Sequence, residues 1–135
     1  MFKKILFLSF LISTSLLAKT IELDKGNLII LDRVVDDASV SILKKELQLL
    51  DIKAPKNIPI YLFLESPGGS VLAGMEVISV IKAMKHKVIT ITKFAASMAF
   101  IISQTASERY ILPHGVLMSH RATMGAQGIA DGNLN

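Results

Sequence analysis

The sequence predicts an α/β domain built on a mainly parallel sheet with helices packed on its faces. Three observations carry that expectation. Short, nearly continuous apolar runs of strand length recur along the chain, as in strands buried within a parallel sheet. Between them lie stretches whose apolar residues fall three and four apart, the period of an amphipathic helix. Finally, the turn signals Ser66-Pro67-Gly68-Gly69 and Ala95-Ala96-Ser97 stand where two of the apolar runs end. Alternation of strand and helix implies right-handed crossovers, and ligands of such sheets bind at the carboxyl ends of the strands.

The first strand is predicted over Asn27–Asp32. Asp36, Asp37 and Ser39 can cap the helix that follows, with Val40, Leu43, Leu47 and Leu50 on its inner face and Lys44, Lys45 and Glu46 outward. Ala54-Pro55-Lys56-Asn57 is a polar turn before a second strand, Ile58–Leu64. Val71, Met75, Ile78 and Ile81 mark the next helix, and Lys87–Thr92 reads as a third strand. Ser97–Thr105 is expected to be a largely buried helix. Tyr110–Leu112 and Val116–Met118 are two further short strands, and from Gly125 onward the pattern fades.

Composition narrows the function classes. A chain of 135 residues, 51% hydrophobic and 19% charged, holds one small domain with a real core. Met1-Phe2-Lys3-Lys4, an apolar run from Ile5 to Leu17 and the small residue Ala18 follow the order of a secretory signal peptide. At 13 residues the run is shorter than the roughly 20 a spanning helix needs. Residues 1–18 are therefore expected to be a cleaved leader, and 19–135 an exported, periplasmic or secreted domain. It would touch a membrane only through an uncleaved leader. Without Lys3 and Lys4 there are 13 Lys and Arg against 11 Asp and Glu, with no aromatic-interleaved basic stripe, which argues against nucleic-acid binding. The absence of cysteine excludes disulfides, thiolate metal sites and a thiol nucleophile. His86, His114 and His120 are dispersed and belong to no zinc motif, so no metal or cofactor is expected. His86, within Lys85-His86-Lys87, reads as solvated.

Three segments can carry chemistry. Glycines at 68 and 69 allow positive φ and leave backbone N–H groups uncovered, so the turn can cradle an oxyanion; it can equally be a plain tight turn opening a helix. Ser97, preceded by Ala95 and Ala96, sits where a helix starts, and is either its N-cap or a nucleophile favoured by the helix dipole. His120, 23 residues further on at the end of an apolar strand, is either a hydrogen-bonded structural histidine or a general base.

Leu64–Met75, Phe94–Met98, Leu112-Pro113 and Leu117–His120 come in the order and near spacing of the Clp protease proteolytic subunit family. The chain resembles that family from about Leu28 to Gly128. The resemblance implies a crotonase-like (ClpP-like) ββα superhelix, incomplete at the C-terminus, in a chain cut short relative to the family. It implies Ser97 as nucleophile and His120 as general base. The N–H groups of Gly69 and Met98 would form the oxyanion hole, with Gly68 shaping the turn. Peptides or unfolded proteins would be the substrates, and a homo-oligomeric ring the assembly. Departures are specific. Lys93-Phe94 stands where the family usually has glycine before the Ala-Ala-Ser-Met segment, and Arg121-Ala122 replaces the common Gln-Pro. The family's catalytic aspartate and its ring-interlocking helix have no counterpart; Asp131 is near in sequence but does not match. Cytosolic members also lack an export leader. Exported relatives of the superfamily use a Ser–Lys pair, and the retained histidine favours the Clp-like site. Two other readings stand beside the serine endopeptidase: an inactive, truncated ClpP-like fold serving as a binding or assembly protein, and a crotonase-type acyl-CoA enzyme, against which the Ala-Ala-Ser-Met segment argues.

Overall fold

The computed structural model of the protein describes residues 20–121. The leader expected over Met1–Ala18, and Asp131, lie outside the described residues. Seven elements alternate: β1 (Leu28–Leu31), α1 (Asp37–Lys53), β2 (Ile60–Ser66), α2 (Val71–Ala83), β3 (Val88–Ala96), α3 (Met98–Gln104) and β4 (Glu108–Met118). The four strands form one parallel sheet in the order β1-β2-β3-β4.

Because each strand is laid beside the one before it, crossovers of one hand put all three helices on the same face. The main core confirms this placement. It joins Val40, Leu43 and Leu47 of α1, Val77, Ile78 and Ile81 of α2, and Met98, Ala99 and Ile102 of α3 to Ile29, Leu31, Ile60, Leu62 and Leu64 of the sheet. The other face carries a smaller cluster, Tyr61, Ile89 and Ile91 with Ile21, Leu28, Phe63 and Tyr110, to which no helix contributes. The mainly parallel sheet with packed helices is thus as expected, and among the described residues the helices lie on one of its faces. Ile30 shows the consequence: in an apolar run that reads as buried throughout, it is 53% exposed on the open face of an edge strand.

Local chemistry sets the element ends. Asp36 caps α1 in a reciprocal box, its carboxylate accepting from Ser39 N–H at 2.8 Å while Ser39 Oγ accepts from Asp36 N–H at 3.0 Å. The Ser39 N–H first, and then the Ser39 hydroxyl, hold the Asp36 carboxyl below its usual range. α1 stops at Ala54, which the following Pro55 forces into an extended conformation.

α2 is the helix its apolar spacing marks, but not every apolar residue of that spacing is buried. Val71 and Met75 are half-exposed, whereas Ala73, Gly74, Val77, Ile78 and Ile81 are buried. Size explains which side turns inward: a Cβ on Gly74 would lie 2.3 Å from Met98 Cγ, so only the small-residue side admits α3 this closely. β2 and β3 run past their expected ends, to Ser66 and Ala96, and carry the two turns to the sheet rim. The two short strands expected near the end are one strand, β4, interrupted between Ile111 and Val116, which pair with Thr92 and Phe94 on β3.

His86 is not solvated. Its Nδ1 lies 2.9 Å from Asp51 Oδ1 on the last turn of α1, and its Nε2 lies 3.3 Å from the Pro55 carbonyl. The Asp51 carboxylate also accepts from the N–H groups of Lys85 and His86. Partial burial pushes its pKa up, but the hydrogen bonds from His86 and Lys85 outweigh it and hold the group below its ordinary range.

Candidate active site

β2 and β3 are neighbours in register up to Ser66 and Ala95, so the turns that follow them emerge side by side. The first turn is tied down from the β1–α1 connection. Val35 N–H donates to the Gly68 carbonyl at 2.8 Å, and Ser70 N–H donates to the Val35 carbonyl at 2.7 Å. The fully buried Ser66 hydroxyl donates to the Arg33 carbonyl at 2.6 Å and accepts from Gly68 N–H at 3.2 Å. Since Gly68 and Ser70 supply the bonds to Val35, the N–H of Gly69 between them points the other way. It makes no hydrogen bond among the described residues. Gly68 and Gly69 both have positive φ, 87° and 149°. Ser70 then caps α2, accepting from Ala73 N–H.

The second turn abuts the first. A Cβ built on Gly68 would stand 2.4 Å from the Ala96 carbonyl, 2.7 Å from Met98 N and 2.8 Å from Ser97 Cβ. Glycine is therefore required at position 68 twice over, by conformation and by this close approach. Ser97 has φ 53° and ψ −121°, a conformation that residues with a Cβ rarely adopt. Holding it costs of the order of 1–3 kcal/mol, and such outliers gather at functional sites. Its hydroxyl makes no capping hydrogen bond to α3, so the N-cap role weighed from sequence is not the one this serine plays. Met98 follows at the first helical position, where a backbone N–H has no intrahelical acceptor.

β4 brings in the histidine strand. Ser97 N–H donates to the Met118 carbonyl at 2.9 Å, which fixes the end of β4 beside the serine two residues before His120. His120 itself is exposed, and its Nδ1 lies 2.7 Å from the Arg121 carbonyl. No hydrogen bond joins it to Ser97. Four of the five expected site residues, Gly68, Gly69, Ser97 and Met98, thus meet at adjoining turns; His120 arrives at the rim with its ring engaged by its own neighbour. Sequence reasoning missed Ser66 and the Arg33–Val35 connection, which anchor the glycine turn. A serine directly before Pro-Gly-Gly was the one available signal. Lys93, at the departure from the family pattern, is the unpaired extra residue between Thr92 and Phe94 of β3, and its ammonium pairs with Glu65. Among the described residues no three His, Asp or Glu side chains gather as a metal ion would require.

The family model for Clp protease matches residues 15–133. Among solved structures, the chain is similar to a point mutant of ClpP1 from Listeria monocytogenes, with 28% sequence identity and a TM-score of 0.67. The match covers 72% of this chain and 57% of the Listeria chain, so the protein spans little more than half the length of that relative. The model match over most of the sequence, the ClpP-like parallel sheet and the paired turns at its rim agree: the chain belongs to the Clp protease family.

Proposed function

We propose that the protein is a serine-type peptidase acting on peptides or unfolded polypeptides. Ser97 is the nucleophile, His120 the general base, and the N–H groups of Gly69 and Met98 bind the oxyanion over the turn that Gly68 shapes. One observation supports this above the others: Ser97 is held at positive φ, its hydroxyl uncommitted, directly against a glycine turn with an unpaired N–H. In the acylation step Ser97 Oγ bonds to the substrate carbonyl carbon and its proton passes to His120 Nε2. The carbonyl π pair moves to oxygen and is met by the two N–H groups. Collapse of the intermediate expels the amine, which leaves with the proton from His120. Water then repeats the sequence to release the acid and restore Ser97.

A fluorophosphonate probe tests the assignment. It should label the folded full-length chain at Ser97, and Ser97→Ala should abolish the label. A folded chain that takes no label would overturn the reading. A second reading, a ClpP-like binding or assembly protein without catalysis, is favoured by the missing Ser97–His120 hydrogen bond. The same experiment decides between them. By family resemblance we also propose that the protein works as a homo-oligomer.

A further inference from the structure

We infer that the main-chain carbonyl of Arg121 orients His120, holding the ring proton on Nδ1 and leaving Nε2 as the basic nitrogen. The inference rests on the reading of His120 as general base. A carbonyl oxygen can only accept, so the 2.7 Å contact between His120 Nδ1 and Arg121 O requires a hydrogen on Nδ1. A neutral imidazole free in water favours the other tautomer, with its hydrogen on Nε2. The Arg121 bond therefore selects the form that a serine hydroxyl needs, one with an open lone pair on Nε2.

The third member of a serine triad has two tasks: fixing the tautomer and orientation of the histidine, and stabilising the imidazolium as it forms. A backbone carbonyl does the first as well as a carboxylate does. It does the second only through its dipole, without a full negative charge. The arrangement thus sets the tautomer and aim of the ring without placing a full negative charge beside it. Placement supports the same role. Ser97 N–H holds the Met118 carbonyl, so the strand end carrying His120 and Arg121 is docked beside the serine. Among the described residues, no carboxylate hydrogen-bonds to His120. Arg121 is accordingly a positioning residue through its main chain, a role indifferent to its side chain.

The test weakens the carbonyl while leaving every side chain in place, at the cost of the one N–H of residue 122. Replacing Ala122 by lactic acid in the full-length chain turns the amide between residues 121 and 122 into an ester, whose carbonyl is a poorer acceptor. Nitrogen-15 NMR of histidine-labelled protein reads the tautomer of His120 directly, and fluorophosphonate labelling reads the reactivity of Ser97. The parent chain should show His120 with its hydrogen on Nδ1. The ester should move the population toward Nε2–H and slow labelling roughly fivefold, the worth of one ordinary hydrogen bond. His120 found in the Nε2–H form in the parent would overturn the inference. So would an ester chain identical to the parent in spectrum and rate, with Asp131→Asn changing both, since the carboxylate would then be the orienting group. Failure of any chain to label, with the Nδ1–H signal present and ester-sensitive, would count against the serine peptidase reading while upholding the orientation of the ring.

Discussion

The ends of β3 and β4 lie side by side yet are held in different ways. At the end of β3, Ala95 and Ala96 are buried, Gly68 fills the space against Ser97, and Met98 seats on Gly74. Every neighbour of the turn is itself fixed, Gly68 by Val35 and Ser66 by Arg33. At the end of β4, Val116, Leu117 and Met118 are about half exposed, and His120 is held by one bond to the next residue. The geometry at Ser97 is over-determined by packing between elements, whereas the His120 ring depends on a single local contact. Strain at Ser97 can persist because so many contacts maintain it. The His120 ring has no comparable support, and the proposed acyl transfer would need both groups held in register.

The largest effect should come from breaking the well-held side. Gly68→Ala places a methyl group 2.4 Å from a backbone carbonyl at φ 87°, where neither neighbour can yield. Overpacking and conformational strain together should cost about 3 kcal/mol or more. His120→Ala, on the exposed side, should change stability by no more than about 0.5 kcal/mol. Urea denaturation of both variants measures the contrast. Comparable losses would mean that the two strand ends are equally built into the fold.

A second contrast lies between the histidines. The His86 ring bridges Asp51 and the Pro55 carbonyl, both on or just after α1, 35 and 31 residues away in sequence. Removing the ring with His86→Ala should therefore cost about 1–2 kcal/mol, far more than the same change at His120. The cluster also gives acid a point of attack. Because the folded-state pKa of Asp51 lies below its unfolded value, its stabilisation is fully present above the unfolded carboxylate range, about 4. That stabilisation is lost as pH falls through the lower, folded value. Asp51→Asn should flatten this part of the acid unfolding curve. A variant that keeps the parent's full slope there would place the acid sensitivity elsewhere.

Much of this architecture is legible in the sequence, because hydrophobic period and turn residues report local structure. Val40, Leu43 and Leu47 fall on the buried face of α1, and the glycine and serine turns stand at the strand ends. What the sequence hides depends on partners distant in the chain. Val71 and Met75 fit the helical period of α2, but close approach of α3 turns the Ala73–Gly74 side inward instead. His86, between two lysines, looks solvated until Asp51, 35 residues earlier, is found against it. At the site the residue types were readable but their relations were not. Nothing local says that Ser97 leaves its helix uncapped, or that the His120 ring engages the Arg121 carbonyl.

The smallest expected effect is the most discriminating test of the Ser97 turn. Were Ser97 an ordinary N-cap, Ser97→Ala would remove a side-chain hydrogen bond and cost about 1 kcal/mol. Here the hydroxyl caps nothing, and Ala carries the same Cβ at the same φ of 53°. The strain is unchanged, so Ser97→Ala should shift stability by less than about 0.5 kcal/mol. Ser97→Gly separates strain from chemistry. Losing the Cβ relieves about 1–2 kcal/mol of left-handed strain, and the added freedom of the unfolded chain takes back roughly 0.5–1 kcal/mol. The glycine variant should therefore be slightly more stable than the alanine variant. If alanine costs a full cap and glycine brings no relief, the serine is held by its hydroxyl rather than against its own backbone preference. The description of this turn as strained at Ser97 would then be wrong.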